Sequence, residues 1–204
     1  MDKFKSVDSV AAPLMRANVD TDLIIPMQRY LMADRADMHQ FAFETLRFLA
    51  DGSDNPDFVL NKPAYGGAQI LISGKNFGCG SSRESAVWAL YGLGVRCVIA
   101  PSFGNIFYNN CFQNGMLPLA MEQDIVEELA RLAEGNGNYA PFSVDLEKQI
   151  VMAPNGESYA FETEPQRRQQ LLKGLDDIGV TLMKTSDIAN FRKADEKARP
   201  WIYI

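Results

Sequence analysis

Apolar and polar residues along this chain change their rhythm every ten to fifteen positions, and each rhythm predicts an element. Ser6 to Ala12 reads as a short first strand, and residues 17–26, ANVDTDLIIP, read as a polar turn entering a short apolar strand that Pro26 closes. A loop through Tyr30, Leu31 and Met32 follows. From Asp37 to Leu49, apolar residues at Met38, Phe41, Ala42, Phe48 and Leu49, with Thr45 between them, fall at helical spacing, and GSDNPD after them is a loop. Gln69 to Ser73 is a compact strand, and a glycine-rich turn then opens a helix that stops at Gly92 and Gly94. Val95 to Ala100 is a buried strand, and residues 103–115 form a helix with Phe103, Ile106, Phe107 and Cys111 on one face. Strand, helix, strand, helix in this order predicts a parallel βαβ core.

Beyond that core, Glu122 to Glu134 repeats the helical pattern through Ile125, Val126, Leu129 and Leu132, ending at Gly135. Residues 142–162 alternate apolar and polar around an Asn155-Gly156 turn, which predicts a β-meander. Pro165 suits the first position of a helix, and Ser186 is placed to cap a last one running through Phe191. The expected architecture is one α/β domain of β/β/α layers spanning residues 1–204.

Composition narrows the function. The chain has 204 residues, 47% of them apolar and 23% charged, with a formal net charge of -6. That is enough apolar material for one full core and too much for a disordered chain. A net negative charge argues against a protein that grips nucleic acid by neutralising phosphates. The first twenty residues mix charges with short apolar pairs, unlike a secretory signal. The uncharged run Ser85 to Val95 contains two glycines and falls short of the roughly 18 apolar residues a spanning helix needs. These features predict a soluble cytoplasmic protein with neither a membrane nor a nucleic-acid partner.

Three cysteines, Cys79, Cys97 and Cys111, are widely spaced and include no C-x-x-C pair, so neither a disulfide framework nor a metal or iron–sulfur site built by this chain alone is expected. His39 is the only histidine. It lies beside the apolar stripe of the Asp37–Leu49 segment, which suits a helix surface better than a catalytic base.

Polar chemistry concentrates instead at residues 74–84, GKNFGCGSSRE, where a strand meets a helix. Glycines let backbone approach a ligand there, free N–H groups at the helix start attract anions, and Arg83 offers a planar two-pronged fork for a carboxylate. The same segment also fits a capping box, with Ser81 as the cap and Glu84 reaching back. It is not a phosphate-cradling Walker loop, because Lys75 precedes the glycines. A second cluster, residues 18–22, NVDTD, presents Asp20 and Asp22 on one face of an extended segment, or else forms an Asx-type turn feeding LIIP.

Five segments together carry a resemblance: NVDTDLIIPMQRYL, NPDFVLN, NFGCGSSRE, VIAPSFGNIFYNNCFQNGMLPL and GLDDIGVTL. They resemble the small subunits of 3-isopropylmalate dehydratase, the leucine-pathway isomerase of the aconitase superfamily, over roughly residues 4–190, leaving a C-terminal helical tail. The resemblance implies a swivelling β/β/α domain of the aconitase C-terminal-domain type. It implies a hydro-lyase that interconverts 2- and 3-isopropylmalate by dehydration and rehydration. It further implies that this chain binds no cofactor and that a large-subunit partner carries a [4Fe-4S] cluster, with a 2-hydroxy dicarboxylate as substrate. A related branched malate, such as citramalate, is the alternative substrate, and a non-catalytic anion-binding module is the alternative function. By the same resemblance Ser81 is the catalytic serine, and Asp22 is the acidic residue near it. Ser82 and Arg83 hold a substrate carboxylate, backbone N–H groups from Gly78 to Gly80 stabilise the alkoxide, and Arg35 is a second carboxylate-binding arginine. Met32 takes the place of a selector for the substrate's variable arm, or packs against the Phe41/Phe48 segment. Related sequences commonly carry histidine where this chain has Ser85, which either alters substrate choice or is a surface substitution in the first helical turn.

Overall fold

The computed structural model describes residues 1–135 and 140–203, and among them eight strands divide between two sheets. β1 (Ser6–Ser9) and β2 (Ala11–Leu14) are separated by Val10 alone, yet they join different sheets. The single strand expected over Ser6–Ala12 is therefore two, and the burial pattern explains it. β1 alternates exposed and buried, as one face of an antiparallel sheet requires, whereas β2 begins with three consecutive buried residues. The Ser9 hydroxyl accepts the Gln69 N–H at 2.9 Å where the chain changes sheets.

Next comes α1 (Thr21–Ile24), where a short strand was expected. The Asp20 side chain caps it by accepting the Leu23 N–H at 2.7 Å, so the apolar run turns once as a helix and buries Thr21 and Ile24. The expected loop through Tyr30–Met32 belongs to α2 (Met27–Met32), which starts directly after Pro26. The helix expected over Asp37–Leu49 is broken in two: a 3-10 helix, Arg35–Phe41, and α3 (Glu44–Arg47). Phe43 separates them in a left-handed conformation at φ 55°. Its fully buried ring lies 5.6 Å from that of Phe58, and its N–H donates to Ile24 O. Tertiary packing thus overrides the helical period, and Thr45 and Leu49 of the expected stripe are exposed.

β3 (Ile70–Ser73), α4 (Glu84–Gly92), β4 (Cys97–Ala100) and α5 (Asn105–Gln113) form the anticipated βαβα core. On α5 the buried residues are Phe107, Cys111 and Phe112, while Ile106, expected inside, is exposed. β5 (Leu117–Ala120) had no sequence expectation. It is an edge strand, the position in which Pro118, lacking an N–H, is tolerated. After α6 (Gln123–Glu134), the meander forms as β6 (Phe142–Asp145), β7 (Ile150–Met152) and β8 (Ser158–Ala160). Pro165 opens α7 (Pro165–Lys173); α8 (Asp177–Leu182) follows, and α9 (Thr185–Ala198) ends the helical series. Ser186 does not cap α9; the boundary residue is Lys184, and the helix extends past Phe191.

One sheet is parallel with order β2-β3-β4-β5, and the other is antiparallel with order β1-β6-β7-β8. The parallel sheet is buried on both faces. Leu71, Val98 and Ala100 face a cluster with Ile24, Phe43, Val87 and Leu90, whereas Ile70, Ile72 and Ile99 face Val144 and Val151 of the antiparallel sheet, with Leu129 of α6. This sheet-on-sheet-under-helix layering is the β/β/α architecture the sequence predicts.

Candidate active site

At the carboxyl ends of β2 and β3, where parallel sheets characteristically bind ligands, the two polar clusters meet. Asn18 N–H donates to Lys75 O at 2.9 Å, Gly78 N–H to Val19 O at 2.7 Å, and Thr21 N–H to Cys79 O at 2.9 Å. The Thr21 hydroxyl adds a bond to Ser81 O at 2.9 Å. From the other side, Phe77 N–H reaches Ser102 O, and Gly104 N–H reaches Phe77 O. The loop between β3 and α4 is thus laced on both flanks, which fixes the path of Cys79 to Arg83. Gly78 has φ 69°, and a Cβ there would run into the Phe107 ring. Its amide is committed to Val19, and Cys79 pairs with Asp20 in a parallel bridge, so the amide of Gly80 is the one of the three for which no acceptor is found among the described residues.

Ser81, Ser82 and Gly80 are exposed on a shelf rather than enclosed in a cavity. Arg83 is the boundary residue of α4, with extended backbone and no side-chain capping bond, so Ser81 does not cap the helix. Glu84 does not reach back to the loop; it accepts from Asn114 Nδ2 at 2.8 Å. The capping-box reading is therefore excluded.

Arg83 is the most specific feature. Its side chain is 11% exposed, and both its terminal nitrogens donate to the Asp22 carboxylate, Nη1 to Oδ1 and Nη2 to Oδ2, the latter at 3.0 Å. The Tyr30 ring centroid lies 5.7 Å from its Cζ. Asp22 is 56% exposed, so the Arg83 fork holds a carboxylate at the protein surface. Asp20, by contrast, is committed to capping α1.

Arg35 is brought to the same helix by a residue sequence reasoning missed. The buried Asn114, just past α5, accepts from Arg35 Nη2 at 3.0 Å and from Trp88 Nε1 at 2.9 Å through one oxygen, while its amide nitrogen serves Glu84 and Asn110 O. The Arg35 guanidinium also lies 4.6 Å over the Trp88 ring. Arg35, Glu84 and Asn114 edge an open pocket of roughly 410 Å³ that includes Tyr91 and Asp176. The only sequence signal for Asn114 was its place before Gly115 at the end of a helix.

Two alternatives are settled by burial. Met32 is 84% exposed, so it does not pack against the Phe41/Phe48 segment. Ser85 is buried, and among the described residues its hydroxyl is the buried side-chain oxygen with no hydrogen-bond partner, so it is not a surface substitution. His39 donates from Nδ1 to Ala36 O at 2.8 Å, a local structural bond. A cavity of about 970 Å³ lies elsewhere, lined by Leu14, Arg16, Phe58, Lys62 and Tyr65. Beside it the NPDFVLN asparagines are consumed by carbonyls, Asn55 by Leu46 O and Asn61 by Arg47 O.

Cys97 and Cys111 are fully buried, and burial raises both thiols well above their ordinary value. Burial, then the Asp20 carboxylate, raise the Cys79 thiol. Among the described residues no group of three or more His, Cys, Asp or Glu side chains is placed to hold a metal ion, and no helix is long and apolar enough to cross a membrane.

Residues 1–124 match the family model of the aconitase C-terminal domain, and residues 127–165 match one described as LeuD_N. The 3-isopropylmalate dehydratase small subunit of Parvibaculum lavamentivorans is 51% identical over 202 residues, covering 99% of this chain and 100% of the relative. That of Afipia carboxidovorans is 52% identical over the same coverage. A crystal structure of 3-isopropylmalate dehydratase from Methanocaldococcus jannaschii superposes with a TM-score of 0.64 at 25% identity, covering 92% of this chain and 99% of that one.

Proposed function

The chain belongs to the family of 3-isopropylmalate dehydratase small subunits, and from that premise we propose that it supplies the proton-transfer and carboxylate-binding half of a two-subunit hydro-lyase acting on 2- and 3-isopropylmalate. The observation that carries this reading is the Arg83 fork closed on a carboxylate beside the exposed hydroxyls of Ser81 and Ser82.

In the proposed mechanism Arg83 and Ser82 bind one substrate carboxylate, which displaces or shares the place of the Asp22 carboxylate. That anchors the carbon next to it over Ser81, whose alkoxide removes the proton there. A serine hydroxyl is too weak an acid to ionise unaided, so the alkoxide needs the positive end of α4, the Gly80 N–H group, and the Arg83 charge. Asp22 holds the guanidinium in plane until substrate arrives. Arg35, steered by Asn114 and Trp88, receives the second carboxylate. A [4Fe-4S] cluster held by the large subunit, the partner that the relatives' designation as small subunits calls for, would supply Lewis acidity toward the departing hydroxyl. The open shelf around Ser81 supports this division, since a second surface is needed to exclude water from the reaction. We further propose that the enzyme works in the cytoplasm, alongside other soluble biosynthetic steps.

The test is reconstitution with the cognate large subunit against isopropylmalate, citramalate and dimethylmalate. Preference for isopropylmalate, with no dehydratase turnover by this chain alone, is expected. Turnover by the isolated chain, or a clear preference for another malate, overturns the reading.

A further inference from the structure

We infer that the C-terminal arm, α8, α9 and the turn after them, is the docking element that seats this chain on its large subunit. The inference rests on the two-subunit reading above. Both family models end by residue 165, yet the arm is retained in relatives that align over their whole length.

Every residue from Thr181 to Ala194 is exposed. On α8, Ile178 and Leu182 stand one turn apart at 70% and 65% exposure. On α9, Ile188, Phe191 and Asp195 share a face at i, i+3 and i+7, with Phe191 65% exposed. Asp195 accepts from Arg199 Nε at 2.7 Å and from the Tyr203 hydroxyl at 2.8 Å. Those bonds fold the 3-10 turn Pro200–Ile202 back along that same face, where Trp201 is 66% exposed. Lys193 and Lys197 lie on the opposite face of the helix. The arm thus carries Ile178, Leu182, Phe191 and Trp201 exposed on consecutive elements, and the Asp195 carboxylate, satisfied by Arg199 and Tyr203, ties its last turn to α9.

The area fits a missing partner. A folded monomer of 22.7 kDa exposes roughly 9,500 Å², whereas this chain exposes 11257 Å², roughly 1,700 Å² more. Taken over the whole chain, the excess is more than the roughly 800 Å² that each side contributes to a standard stable interface, and the fully exposed run Thr181 to Ala194 contributes to it. Continuity with the site selects the large subunit over a second copy. The arm is rooted where Asp176 borders the pocket edged by Arg35 and Glu84, and Asp177 accepts from Gln170 Nε2 at 2.7 Å. Asp176 lines the same pocket as Glu84, the third residue after Ser81, so the arm's root lies on the side of the chain that carries the Ser81 shelf.

The test uses the full chain carrying Phe191→Glu or Trp201→Glu, titrated against the cognate large subunit by sedimentation velocity, with turnover followed separately. The dissociation constant is expected to rise about 100-fold, the size of losing a central aromatic anchor. The thermal midpoint of the isolated variants should match the parent, because these side chains touch little of the fold. Turnover should recover at saturating small subunit. Unchanged affinity in both variants overturns the docking role and leaves the catalytic proposal standing. A parent chain that sediments alone as a dimer, dissociated by Phe191→Glu, also overturns it by placing a second copy on this face. Weakened binding by the variants, in a parent complex that leaves isopropylmalate unchanged, upholds docking and removes the substrate reading instead.

Discussion

Arg83 and Asp22 lie 61 positions apart in sequence and meet through two parallel N–H···O bonds, with the arginine side chain nearly buried and the aspartate more than half exposed. An exposed partner contributes little to folding, so this pair is better understood as orienting the guanidinium. Arg83→Lys keeps the charge and loses the fork. We expect kcat/KM of the reconstituted enzyme to fall roughly 10- to 100-fold, with unfolding almost unchanged. Recovery of most activity by lysine would show that only long-range attraction matters.

Ser81→Ala separates chemistry from structure. Because Arg83 rather than Ser81 bounds α4, the substitution removes no cap, and a stability change below about 0.5 kcal/mol is expected. Turnover should drop roughly 10²- to 10⁴-fold, the usual range for a positioned proton-transfer group. Steady-state kinetics beside urea unfolding make the comparison, and near-normal turnover would remove Ser81 from the mechanism.

Ser85→Ala should act in the opposite sense. The hydroxyl is buried in the first turn of α4 without a partner, and an unsatisfied buried hydroxyl costs about 1 to 3 kcal/mol. Alanine removes that cost and is the better helix former. A gain of about 1 kcal/mol in urea unfolding of the isolated chain is expected, and a loss would mean that the hydroxyl has a partner in solution.

These sites show which features the sequence made legible. The βαβα core followed from unbroken apolar runs such as Cys97–Ala100, whose burial on both faces is what a parallel strand demands. The Gly78–Arg83 loop followed from glycines and a helix start. What failed depended on contacts distant in sequence. Asp20 winds Thr21–Ile24 into a helical turn only when residues 18–21 are laced to residues 75–81, and Phe43 breaks the Asp37–Leu49 period only because Ile24 and Phe58 hold it. Asn114 was invisible for the same reason, since its partners Arg35 and Glu84 lie 79 and 30 positions away.

Asn114→Ala tests that hub. It leaves the Arg35 guanidinium, the Trp88 N–H and the Glu84 carboxylate each short of a partner at a site where Asn114 is only 8% exposed. Unfolding should lose about 2 to 3 kcal/mol, the scale of abandoned buried polar partners. With Arg35 released, KM should rise more than kcat falls, if Arg35 receives a substrate carboxylate. Equal loss in both Asn114→Ala and Arg35→Ala, with no further loss in the double variant, would place the two residues in one unit.

On the proposed reading, Met32 is the selector of the substrate's variable arm. It ends α2, a helix tied to α3 by the Arg29–Glu44 pair, whose Arg29 Nη2 donates to Oε1 at 2.5 Å, and to the 3-10 helix Arg35–Phe41 by the Arg29 guanidinium lying 4.9 Å over the Phe41 ring. The helix is therefore anchored, while Met32 itself stands free at 84% exposure. Tyr30 of the same helix faces Arg83, which puts the helix beside the carboxylate fork. A polarizable thioether suits a branched alkyl arm and gives a third carboxylate no partner. Met32→Arg reverses that preference: the isopropyl group meets a charge, and a tricarboxylic analogue gains a counter-ion. Because Met32 is solvated in the isolated chain, the substitution should leave its unfolding unchanged, so a shift in specificity cannot arise from a damaged fold. The quantity to measure is the ratio of kcat/KM for isopropylmalate and the analogue, expected to fall about tenfold or more in the variant. An unchanged ratio in a fully assembled enzyme would place Met32 outside the substrate pocket.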